Sequence, residues 1–192
     1  MKPLRIFLLV LYFSLSGANA EDPRLENVLM ARPMENIPTD LINKQLAHIK
    51  KIYPELKVDL PLPTFKVATQ AYMTDLYKRL TGLEGNIVSL YIHQIQDPIT
   101  KEITRDRTIY LSIQWSPDTI EYRGDLYHEL IHYVQFMNNL DGAVACYNVL
   151  EFQAYEAAAT YLIEVEKLTQ THEMVVDARS MAVMEGICPQ KR

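Results

Sequence analysis

The sequence predicts an α+β fold, with a small and mostly antiparallel sheet following one helix and preceding three more. Two observations predict it. Apolar residues recur every three or four positions near residues 39–53, and again from about residue 119 onward, which is the period of an amphipathic helix. Between these stretches lie short segments rich in β-branched and aromatic residues, broken by proline, glycine and polar runs, as strands joined by turns would be.

The chain opens with a charged Met1-Lys2-Pro3-Leu4-Arg5, an apolar run from Ile6 to Phe13 and small residues up to Ala18-Asn19-Ala20. That order predicts a secretory signal peptide, 1–20, cut after Ala20. The apolar run falls short of the roughly 20 residues needed to span a bilayer, and no later stretch approaches it. Residues 21–192 suit a single domain with a sizeable core, secreted or periplasmic and not held to a membrane after cleavage. Without Lys2 and Arg5 the formal charge falls from -5 to -7. No basic stripe or aromatic-basic cluster is present, which argues against nucleic acid as a partner. The chain has two cysteines, Cys146 and Cys188. In an oxidising compartment they are predicted to form a disulfide.

Glu21 to Pro38, with prolines at 23, 33 and 38, reads as an irregular arm holding a short helix. Thr39 is the expected N-cap of a helix through Tyr53, with Leu41, Ile42, Leu46, Ile49 and Ile52 on one side. Pro54, Pro61 and Pro63 end it and extend the connection. Thr64 to Thr69 alternates as a strand, and Gln70 to Leu80 reads as a helix closed by Gly82. Ile87–Ile95 and Thr108–Gln114 are two further strands, joined by the polar loop Asp97–Arg107.

Ser116-Pro117-Asp118 starts a turn, and from Thr119 or Asp125 the chain is helical through Asn138. Asp141-Gly142 marks a loop. A long helix rich in Ala, Glu and Leu then runs from Tyr147 or Asn148 to about Leu168. The last helix, Thr171–Glu185, stops at Gly186 with Pro189 beyond it.

The first helix of this second half carries His128-Glu129-Leu130-Ile131-His132. Four residues along a helix bring both imidazoles to one face, about a turn apart. There they can reach a single zinc ion at ~2.0–2.1 Å. Glu129 points about 100° further round. That is too far to ligate the metal, yet suited to taking a proton from a metal-bound water. Leu126, Leu130, Ile131, Val134 and Met137 form an apolar side that can bury the helix.

A catalytic zinc needs a third protein ligand and an open position for water. A glycine and a third histidine shortly after the second are absent; Gln135 and Asn138 stand at those places. On the next helix, Glu151 and Glu156 lie 19 and 24 positions after His132, each followed three residues later by an alanine that permits close helix approach. Five residues on a helix differ by about 140°, so only one of the two can face the metal.

The runs T-I-Y-L-S-I-Q-W-S-P (108–117), L-Y-H-E-L-I-H-Y-V-Q (126–135) and E-F-Q-A-Y (151–155) resemble the core of gluzincin-type zinc metallopeptidases. They are most similar to small exported bacterial members, over about Ile87 to Leu168. The resemblance implies a zincin-like fold, with the sheet packed on an active-site helix and a second, glutamate-bearing helix. It implies His128 and His132 as ligands, Glu129 as general base and Glu151, preferred to Glu156, as third ligand. It also implies that the strand Thr108–Gln114 pairs along its edge with an extended peptide substrate.

The family's aspartate four residues after the third ligand is replaced here by Tyr155, or by Thr160 if Glu156 ligates. The partner that orients a ligating histidine is therefore unassigned. Tyr155 and His172, with Tyr161, are candidates for an oxyanion donor or a supporting role; His48 and His93 read as structural or exposed. The expected function is a zinc-dependent hydrolysis of peptide bonds outside the cytoplasm. The alternative is a non-catalytic exported protein that binds a metal or a partner on the same scaffold. A third reading, latency, has the arm Glu21–Pro38 or the tail Gly186–Arg192 lying across the cleft.

Overall fold

The computed structural model describes residues 31–82, 85, 87–96 and 103–188; the signal peptide expected at 1–20 lies outside them. Along the chain come strand β1 (Ala31–Pro33), helix α1 (Thr39–Ile52), β2 (Thr64–Ala68), α2 (Gln70–Thr81), β3 (Ser89–Gln96) and β4 (Ile103–Ser112). They are followed by α3 (Ile120–Met137), a 3-10 turn (Leu140–Gly142), α4 (Asn148–Glu164) and α5 (Glu173–Glu185). The described residues group into two compact units, 31–37 with 63–115 and 38–62 with 116–188.

The first unit is a four-stranded sheet, in the order β1-β2-β4-β3, with α2. It is mixed, which corrects the expectation of a mostly antiparallel sheet. β1 with β2 and β3 with β4 are antiparallel, but β2 and β4 run parallel. The reason is the connection. Helix α2, not a hairpin, carries the chain from β2 to β3, and β4 then turns back and inserts beside β2 in the same direction.

Thr69 caps α2 by accepting a bond from the Tyr72 amide, and Gly82 ends it in the left-handed region at φ 74. Met73, Leu76 and Tyr77 of this helix bury against Ala68, Leu90, Ile92 and Tyr110.

β4 begins at Ile103, so the expected loop Asp97–Arg107 gives its last five residues to the strand. The register slips between Ile92 and Gln94, and Arg107 adopts φ 52; an irregularity in the ladder absorbs the polar stretch that looked like loop. Thr108 to Ser112 pair with β2 on one side, and β3 covers the other. From Thr108 to Ser112 both edges are therefore paired, and the substrate pairing expected of this stretch is not available. β1 lies within the arm read as holding a short helix; its described part, Ala31–Pro33, instead pairs with β2 as a strand.

The second unit is helical. In α1, Ile42, Leu46 and Ile49 are buried as the periodicity predicts, but Thr39 is already helical and Pro38 holds the cap position without a side-chain bond. Every residue of α3 from Gly124 to Phe136 is buried, the polar Asp125, His128, Glu129, His132 and Gln135 included. A helix enclosed on all sides must find partners for its polar groups inside the protein. At Gly124 an added Cβ would meet Leu162 at 3.4 Å, an ordinary contact, so α3 packs against the Leu162 side chain of α4 there.

Helix α4 buries Leu150, Glu151, Ala154, Tyr155, Ala157, Ala158, Ala159, Tyr161 and Leu162, and ends at Glu164, short of the expected Leu168. Helix α5 starts at Glu173, with the His172 ring nitrogen accepting a bond from the Met174 amide as its cap. The predicted disulfide joins Cys146 to Cys188, tying the start of α4 to the end of α5. Asn148 Nδ2 donates to Ile187 O at 3.0 Å across the same junction.

Two polar clusters lock α1, α3 and α4 together. His48 binds Tyr127 Oη at 2.8 Å and Glu164 at 3.1 Å, so this histidine is buried and structural. Arg123 grips both oxygens of Glu166, which also accepts from Tyr161 Oη at 2.8 Å.

Candidate metal centre

Two helices build the site. α3 presents His128 and His132 one turn apart, and the first turn of α4 presents Glu151. Their Nε2 atoms stand 3.0 Å from each other. Glu151 Oε2 lies 3.6 Å from His128 Nε2, and Oε1 lies 3.3 Å from His132 Nε2. Three ligands held ~2.0–2.1 Å from one tetrahedral ion would stand ~3.3 Å apart, which is the middle of the observed range. The three residues form a buried group that could hold a metal ion. Two imidazoles and a carboxylate suit a divalent transition metal.

The electrostatics point the same way. Glu151 is fully buried and neither of its oxygens accepts a hydrogen bond of good geometry. A buried carboxylate in that state calls for a positive charge beside it. Burial by itself would raise its carboxyl, but the two imidazoles outweigh burial and hold it at about 2. Burial presses His132 the other way, and Glu151, then Glu129 and Gln135, reverse the effect and raise it.

Glu129 is buried on α3, and its charge acts on both His132 and Tyr155. The Tyr155 ring lies 4.4 Å from that of His128. Burial, followed by Glu151, Glu129, Glu185 and Asp125, pushes its phenol well above the ordinary value, so it stays protonated at neutral pH. Glu156 is half-buried on α4 and lies outside the group of donors. His172 likewise stands outside it, at the N-terminus of α5.

Two contributors escaped the sequence reading. Tyr147 stacks on His132 with ring centroids 6.4 Å apart and on Phe136 at 5.8 Å. Gln135 binds His132 Nδ1 through Oε1 at 2.9 Å, and its Nε2 donates to Leu150 O and Gln153 Oε1. The signal for Gln135 was its spacing: three residues after His132 it shares that histidine's face of the helix. Nothing in the sequence around Tyr147 marks it. Compared with protein-family models, curated proteins and solved structures, the chain matches none.

Proposed function

We propose that the chain is a zinc-dependent metallopeptidase of the gluzincin type, acting on peptides or proteins outside the cytoplasm. The observation that supports it is the triangle of His128 Nε2, His132 Nε2 and the Glu151 carboxylate, with sides of 3.0 to 3.6 Å, beside a buried Glu129. Zinc held by these three residues would supply a Lewis acid for the scissile carbonyl and lower the pKa of a bound water. Glu129 takes the proton of the attacking water and returns it to the leaving amine. Tyr155, kept protonated against His128, is the neutral donor assigned to support the oxyanion. The disulfide, and the absence among the described residues of any helix long and apolar enough to cross a membrane, are compatible with the secreted or periplasmic setting.

One observation favours a second reading. All three donors are almost wholly buried, which suits a closed site that retains metal for structure or partner binding and cleaves nothing. Metal analysis of wild type beside Glu151→Ala and Glu156→Ala, followed by digestion of a peptide library with and without chelator, tests both. The peptidase reading expects one zinc per chain in wild type and Glu156→Ala, loss in Glu151→Ala, and chelator-sensitive cleavage. Bound zinc with no cleavage supports the closed site; no zinc in wild type sinks both readings.

A further inference from the structure

We infer that Gln135 is a positioning residue that sets the tautomer and aim of His132 and couples it to the turn of α4 bearing Glu151. The inference rests on the metal site proposed above. Gln135 is 1% exposed, and its amide is engaged at both ends. Nε2 lies 3.1 Å from Leu150 O and 3.2 Å from Gln153 Oε1; Oε1 lies 2.9 Å from His132 Nδ1.

A carboxamide can be turned by half a rotation, exchanging donor for acceptor, so a histidine beside it is ordinarily of uncertain tautomer. The Leu150 carbonyl removes that freedom. It can only accept, so the group facing it is the NH2, and the turned amide would set its own oxygen against that carbonyl. Oε1 is therefore the atom that meets His132. Because Oε1 also only accepts, Nδ1 of His132 carries the proton. In the neutral ring this leaves the lone pair on Nε2, the atom 3.0 Å from His128 Nε2 and 3.3 Å from Glu151 Oε1.

Tyr155, where an orienting aspartate was absent, lies against His128, and the orienting of a ligating histidine is found instead at His132. A neutral amide on the ligand helix itself performs that task, and the anchor it uses is the carbonyl of the residue immediately before Glu151. One side chain thus adjusts two ligands on two helices.

Two variants separate the roles. Gln135→Leu removes both the acceptor for His132 and the donor to Leu150. Gln135→Glu keeps the acceptor and loses the donor. Zinc affinity, measured by competition with a chromophoric chelator, is expected to fall about 10- to 100-fold in Gln135→Leu and to recover part of that loss in Gln135→Glu, which regains the acceptor for His132 but not the donor to Leu150. The visible spectrum of the cobalt-substituted protein should be altered in the leucine variant and near wild type in the glutamate variant. Equal affinity in wild type and Gln135→Leu overturns the inference, as does a glutamate variant as weak as the leucine one.

Long-range 15N–1H NMR of the imidazoles in wild type, at a pH where His132 is neutral, reads the tautomer without any substitution or metal. A proton on Nδ1 supports the inference and a proton on Nε2 alone overturns it. Wild type that binds no zinc yet holds the Nδ1 proton would defeat the proposed function and leave the tautomer assignment standing.

Discussion

Replacing Cys146 and Cys188 together by alanine opens a loop whose ends are 42 residues apart. In the chain-entropy account, closing a loop of that length lowers the entropy of the unfolded chain by an amount equivalent to about 4 kcal/mol at 25 °C. The native junction does not depend on the bridge alone. Asn148 still donates to Ile187 O, and Gly186 still packs against Phe152. The cost therefore falls on the unfolded state. For a chain of this size each kcal/mol moves the Tm by about 2–4 °C, so a fall of about 8–16 °C is expected.

Calorimetry of the variant beside the non-reduced wild type measures the fall, and chelator competition on the same samples measures zinc affinity. Affinity should change little, because the first turn of α4 keeps its Gln135 anchor at Leu150. A Tm fall below about 3 °C would refute the loop-closure reasoning. A large loss of zinc affinity would show that the bridge also aims Glu151.

Three other changes have definite outcomes. Glu129→Gln, close to isosteric at a fully buried position, should keep one zinc per chain and lower chelator-sensitive peptide cleavage by about 10²–10⁴-fold; cleavage at the wild-type rate would remove Glu129 from the mechanism. At Gly186 an added Cβ would stand 2.6 Å from Ala182 O and 2.9 Å from Phe152, so Gly186→Val should destabilise by about 1–3 kcal/mol, seen as a lower urea midpoint. An unchanged midpoint would mean that the end of α5 yields freely.

The bond from Arg123 lowers the Glu166 carboxyl, against burial, below the ordinary 4.5. The folded value lies below the unfolded one, so this stabilisation is complete above pH 4.5 and fades as the pH falls further. Glu166→Gln should be less stable than wild type at pH 7 and show a flatter acid limb; parallel acid limbs in the two proteins would count against it.

What was legible in the sequence was local. The spacing of His128 and His132 is a property of one helix, and the helical period alone places both imidazoles on one face. Two cysteines, read in a chain expected to be exported, were enough to pair Cys146 with Cys188. The burial of Ile42, Leu46 and Ile49 followed from the same periodicity. Periodicity is weaker where burial is complete: α3 looked amphipathic, yet it is enclosed on every side, and nothing in a single segment reveals what will cover its polar face.

Questions of which side chain meets which across elements waited for the tertiary structure. Glu151 and Glu156 share a helix and a residue type, and only the rotation of α4 against α3 brings the first to the histidines and leaves the second outside. β4 runs parallel to β2 because a helical crossover precedes it, a long-range pairing with no trace in the strand's own residues. Gln135 looked like no more than the residue standing where the glycine of an absent motif would be. Its value comes from a carbonyl fifteen residues away in sequence, which orients its amide and through it a histidine. By itself the sequence determined the pair of candidate histidine donors, because their spacing along one helix is set by covalent geometry and backbone hydrogen bonds. The tertiary structure decided their partners, because those bonds join atoms that only packing brings within reach.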